Sequence, residues 1–193
     1  MKLYLAFLSM NAFVLVHITG EIISTGCLAD TLPASSNDTI YLVGYSLQLS
    51  LSNVMCVSSK FKERTDSGVK RFLTLAYIDT QTKKWVSEGR LFTVQFAEKD
   101  PLILKLNITG MPEQWKSLTG ANSSYIVMYY NNDVMILSDR KRGYADEDRP
   151  VCSLWAKEKY KYHPEKITGL ANISFHDNCA QPTFVPFDGT CWW

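Results

Sequence analysis

The sequence predicts an all-β protein whose eight antiparallel strands form either a sandwich or an up-and-down barrel. Between about residue 40 and residue 160, apolar residues recur with period two or in short runs, as strands require. Turn-rich pieces such as Asp66-Ser-Gly68, Ser87-Glu-Gly89 and Gly143 to Pro150 separate these runs. No repeat, heptad or long low-complexity segment interrupts the pattern, and this favours one domain.

The elements follow one another with short connections. The predicted strands cover residues 39–47, 54–61, 70–79, 90–96, 101–108, 124–130, 133–138 and 151–160. Residues 163–179 then predict one short, irregular helix that begins near Pro164 and directs Ile167, Leu170 and Phe175 toward the strands. The tail, residues 180–193, contains too much proline for regular structure, but Cys191 can tether it.

Residues 1–29 are predicted to be a secretory signal peptide, and residues 30–193 the mature domain. Lys2 precedes an interrupted apolar run, and the small residues Cys27 and Ala29 precede the cut. The alternative to a signal peptide is a buried N-terminal helix. The alternative to cleavage after Ala29 is cleavage after Gly26, which would make Cys27 a lipid acceptor. Removing 29 of 193 residues leaves 164, enough for one domain with its own core.

The remaining cysteines and the sequons indicate an extracellular protein. Cys56, Cys152, Cys179 and Cys191 form an even set that predicts two disulfides, with three possible connectivities. A formal net charge of +1 argues against binding to nucleic acid or to a membrane surface. Four glycosylation sequons predict surface positions, at Asn37, Asn107, Asn122 and Asn172.

No catalytic or metal site is predicted, and no cofactor is implied. Only His163 and His176 follow the signal peptide, and their spacing does not suggest zinc coordination. The stretch "GYSLQ" lacks the second glycine of a nucleophile elbow. If all four cysteines are paired, no thiol is left as a nucleophile.

Alternation assigns an apolar and aromatic interior to the strands. Lys105 shares a face with the sequon residue Asn107, so the leucines between them face inward. The same argument turns Thr74, Thr93 and Gln95 away from their apolar neighbours. An eight-stranded barrel can either fill with side chains or hold one small ligand, and the alternation is the same in both cases.

Several short motifs resemble the secreted lipocalins of tick saliva, the histamine-binding-protein-like family. They are "NDVMIL", "CSLW", Cys56 in "VMCVSS" and the two late cysteines. The resemblance implies an eight-stranded antiparallel up-and-down lipocalin barrel with a short C-terminal helix and a disulfide-tethered tail. It also implies that Cys56 pairs with Cys191 and Cys152 with Cys179.

Amine-scavenging members of that family carry a Cys-Asp-aliphatic and a Glu-Leu-aromatic element, whose acids reach the ammonium of histamine or serotonin. A buried cation needs such a partner. Here Asn132 precedes Asp133, and Ser153 stands in the position of the glutamate. The predicted strand interiors, the last two of which are 134–137 and 152–156, contain no Asp or Glu. An amine site of the family's type is therefore expected to be disabled.

Ser153 and Trp155 suit instead a mostly hydrophobic ligand with one polar end. With "PVCSLW" and the Pro-Phe-Asp-Gly-Thr-Cys ending, they look like the Japanin group of tick lipocalins. That resemblance implies a cholesterol-binding barrel that alters the maturation of host dendritic cells. We expect a secreted monomer without a membrane anchor, with a host immune-cell surface protein as a further partner. The alternatives are a scavenger of biogenic amines and a ligand-free interaction protein.

The candidate ligand-binding residues are the apolar, aromatic and polar side chains expected inside the barrel. Asp133 is alternatively an ordinary turn residue, and the aromatic side chains alternatively fill a core. The full set is Tyr45, Leu73, Leu75, Tyr77, Phe92, Val94, Phe96, Leu102, Leu104, Leu106, Val127, Tyr129, Asp133, Ser153 and Trp155.

Overall fold

The structure is a computed structural model that describes residues 31–49, 51, 54–79, 81–97, 102–107, 122–139 and 149–191. The predicted signal peptide lies outside the described residues. The helix α1 spans Leu170–Asn178. The strands are β1 Ile40–Ser46, β2 Val54–Thr65, β3 Gly68–Ile78, β4 Trp85–Ala97, β5 Ile103–Asn107, β6 Ser124–Tyr130, β7 Val134–Asp139, β8 Cys152–Lys157 and β9 Pro182–Phe184.

The first eight strands form a closed antiparallel barrel. Strands β2 to β8 pair in chain order, β8 pairs with β1, and β1 returns to pair with β2. This closure confirms the up-and-down barrel and excludes the sandwich. No helix in the described part of the chain is long and apolar enough to cross a membrane.

Strand β4 contains a segment that the sequence predicted to be a turn. Ser87-Glu-Gly89 continues the strand and pairs with β3 through Thr74. A Cβ atom at residue 89 would lie 2.2 Å from the ring of Phe72. Gly89 therefore makes room for an aromatic ring on the neighbouring strand, which is a role that glycine has in strands as well as in turns.

Helix α1 packs against the outside of β6 and β7, and its Phe175 reaches Gly44 of β1. Phe187 of the tail packs on Tyr41, so β1 is buried along most of its length. Phe175 and Ile167 are buried as predicted, but Leu170 is 71% exposed. Pro164 belongs to a separate 3-10 turn, Pro164–Lys166. The α-helix starts only after Gly169, whose φ of 67° interrupts regular helix geometry, so Leu170 points away from the barrel.

The tail contains regular structure that the sequence analysis did not predict. Strand β9 pairs with Gly44–Ser46 of β1, despite Pro182 at its first position. Proline is tolerated at the first residue of an edge strand because no ladder hydrogen bond is needed there. The disulfides Cys56–Cys191 and Cys152–Cys179 join the pairs that the resemblance implies.

One end of the barrel is closed by the segment before β1. The 3-10 turn Pro33–Ser35 is buried there, above the fully buried side chain of Arg71 on β3. The guanidinium has five N–H donors, and all five donate: two to Ser59, one each to the carbonyls of Ala34, Ser36 and Asp38. Burial lowers the pKa of Arg71 to about 10, so the group stays charged at neutral pH.

The substitution Arg71→Met should lower the free energy of unfolding by about 3 kcal/mol, because it leaves several buried carbonyl groups without a donor. Urea unfolding followed by tryptophan fluorescence measures the change. Arg64→Met is the matched control: Arg64 is exposed and donates to the carbonyl of Ser35 at 3.3 Å in the same turn. The control should cost less than about 1 kcal/mol; equal losses would contradict a closing role for Arg71.

Candidate functional site

The barrel interior contains a cavity rather than a filled core. The cavity has a volume of about 120 Å³. A single water molecule needs roughly 10–15 Å³ of volume measured in the same way. The cavity extends from Ser59 and Arg71 at the closed end to Asn122 and Asp139 at the other end.

Most of the cavity wall is aliphatic or aromatic, because inward-facing residues alternate along each strand. On β5, for example, Leu104 and Leu106 line the cavity while Lys105 is exposed. The predicted residues that line it are Leu73, Phe92, Val94, Leu104, Leu106, Ser153 and Trp155.

A second group of predicted residues packs in the apolar core and does not line this cavity. Leu75 and Tyr77 cluster with Leu42 and Leu51, and the Tyr77 hydroxyl donates to Glu88 at 3.1 Å. The other members pack with Phe92 and Tyr125; they are Phe96, Leu102 and Val127. These side chains form the solid part of the interior beside the cavity.

Three further predicted residues lie elsewhere. The register shifts between Val127 and Tyr129, so Tyr129 packs against the outer cluster beneath α1. Asp133 lies in the turn before β7, and its carboxylate pairs with Lys159 at 2.7 Å. Tyr45 lines a neighbouring pocket beside the tail.

The sequence analysis missed wall residues on β1, β2 and β7. In "VMILSD" the alternation alone would have placed Met135 and Leu137 inside, with Asp139 on the same face. On β1 the apolar run is continuous because Phe175 of α1 and Phe187 of the tail cover its outer face, so the alternation was hidden. The wall residues that β1 and β2 contribute are Ile40, Leu42, Val54, Val57 and Ser59.

Ser153 and Trp155 provide a polar pair on the inner face of β8. The indole Nε1 of Trp155 donates to the Oγ of Ser153 at 3.0 Å. The hydroxyl of Ser153 can still donate its own proton. The pair therefore offers a neutral hydrogen-bonding group within an apolar wall.

Asp139 supplies a carboxylate that the sequence analysis did not expect in the interior. It accepts a hydrogen bond from Nδ2 of Asn122 at 2.6 Å. Next to them, the hydroxyl of Tyr125 accepts a hydrogen bond from the backbone N–H of Asn122 at 2.8 Å, and burial raises the pKa of Tyr125. The expectation of a carboxylate-free wall is therefore wrong at this end, because β7 extends to residue 139.

Asn122 also differs from the predicted surface sequons. It lies in the cavity wall; Asn122 and Asn172 are both half-buried, whereas Asn37 and Asn107 are exposed. No group of three His, Cys, Asp or Glu side chains in the described ranges could hold a metal ion. The site is a mostly apolar cavity in which the polar side chains are hydrogen-bonded to neighbouring residues.

No family model matches the chain. Japanin from Rhipicephalus appendiculatus is 33% identical over 163 residues, which cover 84% of this chain and 85% of that protein. Japanin-like-RS from Rhipicephalus sanguineus is 32% identical over 170 residues, with the same coverage. The solved structure of Japanin bound to cholesterol has a TM-score of 0.68 and 31% identity, and covers 84% of this chain and 100% of that one. The protein is therefore a member of the Japanin family of tick lipocalins.

Proposed function

We propose that this protein is an extracellular lipocalin that binds cholesterol in its barrel cavity. The observation that carries the proposal is the apolar cavity, closed at one end by Arg71 and the segment before β1. The solved Japanin structure, which is bound to cholesterol, supports the choice of ligand. The two disulfides and four sequons support an extracellular location.

The arrangement of polar groups suits a sterol. Its rings need apolar walls, which side chains such as Leu73, Phe92 and Leu104 supply. Its single hydroxyl needs one hydrogen-bond partner, because a buried hydroxyl without one costs several kcal/mol in an apolar medium. Ser153 and Asp139 both line the cavity, and either can take that role.

We also propose that the protein modulates host immune cells, dendritic cells in particular. This step rests on the resemblance of the sequence to the Japanin group. A dendritic-cell maturation assay with a variant whose cavity is filled by a larger side chain separates ligand-dependent activity from a ligand-free role of the outer surface.

Replacing Leu104 with Trp should fill the cavity and weaken cholesterol binding at least tenfold, since the indole would occupy the space of the sterol rings. Native mass spectrometry of the deglycosylated protein, followed by organic extraction, measures the bound sterol. Lys105→Trp is the matched control, because residue 105 is the adjacent, exposed position on the same strand. Wild-type protein that neither co-purifies with sterol nor takes up labelled cholesterol would refute the proposal.

A second candidate function, scavenging of biogenic amines, is favoured by one observation. Among the wall residues that the structure describes, Asp139 carries a carboxylate, which could pair with an ammonium group. That carboxylate already accepts a hydrogen bond from Asn122. The opposite end of the same cavity carries the positive charge of Arg71, so a cation is less favoured there than a neutral ligand.

We expect histamine and serotonin to bind no more tightly than about 100 μM, an affinity of roughly 5 kcal/mol, and Asp139→Asn to retain cholesterol binding. Isothermal titration calorimetry with each amine measures this. Submicromolar amine binding that disappears in the Asp139→Asn variant would instead establish the scavenging function.

A further inference from the structure

Strand β1 changes its partner partway along its length. Its first residues pair with β2: Ile40 lies opposite Ser59, and Tyr41 lies opposite Ser58. Its last three residues, Gly44–Ser46, pair with β9 of the tail instead. The barrel wall between β1 and β2 is therefore paired at one end and completed by the tail at the other.

Strand β2 bends at the point where this separation begins. Its register with β3 shifts between Met55 and Ser58, and Cys56 within the shift has a φ of 56°. A positive φ is uncommon for a residue other than glycine, and bulges of this kind redirect a strand. The disulfide from Cys56 to Cys191 holds the end of the tail beside the bend.

A second cavity lies in the resulting gap. Its volume is about 270 Å³ by the same measure. Its outer side is formed by three residues of the tail, Phe184, Val185 and Phe187. We call it the side pocket. Its inner side shares four apolar residues with the wall of the barrel cavity, and these are Leu42, Leu51, Val54 and Val57.

The side pocket combines apolar side chains with polar surface, and Asp188 is the charged residue among its described wall residues. The Asp188 carboxylate accepts hydrogen bonds from the amide and hydroxyl of Thr190, and Asp188 is exposed. The residues shared with the barrel cavity are aliphatic. These four side chains pack together and separate the two cavities, so an alkyl group can pass only where they move apart, and it would stay in contact with aliphatic side chains as it does so.

We propose that the side pocket holds the flexible alkyl side chain of a sterol whose rings lie in the barrel cavity. The inference rests on the proposed function, because it requires a sterol in the barrel. It assigns to the tail, and to the disulfide that holds it, the recognition of the ligand's side chain. The protein would then select sterols that carry this chain over sterols that lack it.

Photo-crosslinking of the wild-type protein tests the inference directly. Two cholesterol probes are compared, one with a diazirine in the side chain and one with a diazirine on the ring system, and the labelled peptides are mapped by mass spectrometry. The side-chain probe should label the segment from Phe184 to Asp188, and the ring probe the strands of the barrel. Labelling of barrel strands alone by both probes would overturn the inference and leave the proposed function intact. Failure of both probes and of cholesterol itself to bind would overturn both.

A variant gives an independent readout. Val185→Trp fills the side pocket and should weaken cholesterol binding at least tenfold, while binding of androst-5-en-3β-ol, which lacks the side chain, should change less than about threefold. Retained binding of the shorter sterol also shows that the variant folds. Thr183→Trp, on β9 but outside the pocket wall, is the control and should bind both sterols. Equal effects of Val185→Trp on the two sterols would overturn the inference.

Discussion

The hydrogen bonds of Arg71 determine where this barrel is closed and therefore where a ligand can lie. The side chain joins β3 to β2 through Ser59 and to the segment before β1 through three carbonyl groups. A buried guanidinium is tolerated only when its donors are satisfied, and here each donor has an acceptor. Because the closing segment is held in this way, the apolar cavity is separated from water at that end.

The second constraint is that β1 has a partner on every side. Phe175 of α1 and Phe187 of the tail cover its outer face, and the cavity lies on its inner face. The edge that does not pair with β8 pairs first with β2 and then with β9. This arrangement explains why β1 begins with a continuous apolar run, residues 40–43, since a strand buried on both faces does not alternate. The tail also lies close to the barrel cavity. The disulfide that anchors the tail borders the side pocket, and the side pocket shares four aliphatic wall residues with the barrel cavity.

Strand alternation predicted the cavity wall where the strands are regular, as at Leu104 and Leu106. It failed where local geometry changes the parity, as at the bulge before Tyr129. Arg71 lies on the same inward face as Leu73. A charged side chain is rarely buried, and alternation alone does not show that five acceptor atoms satisfy this one. The volume of the cavity could not be predicted, because leucines in a filled core and in a pocket wall follow the same pattern.

The distribution of charge explains how this barrel could favour a neutral ligand over an amine. Asp133 pairs with Lys159 outside the barrel, and Ser153 provides a neutral hydroxyl inside it. Arg71 adds a positive charge at the closed end, and the pKa of about 10 keeps it ionised at neutral pH. An ammonium group near this end would meet this repulsion in a medium of low dielectric, where charges interact more strongly than in water. Asp139, the carboxylate at the opposite end, already accepts a hydrogen bond from Asn122. A sterol hydroxyl carries no net charge, so its binding requires only a local hydrogen-bond partner.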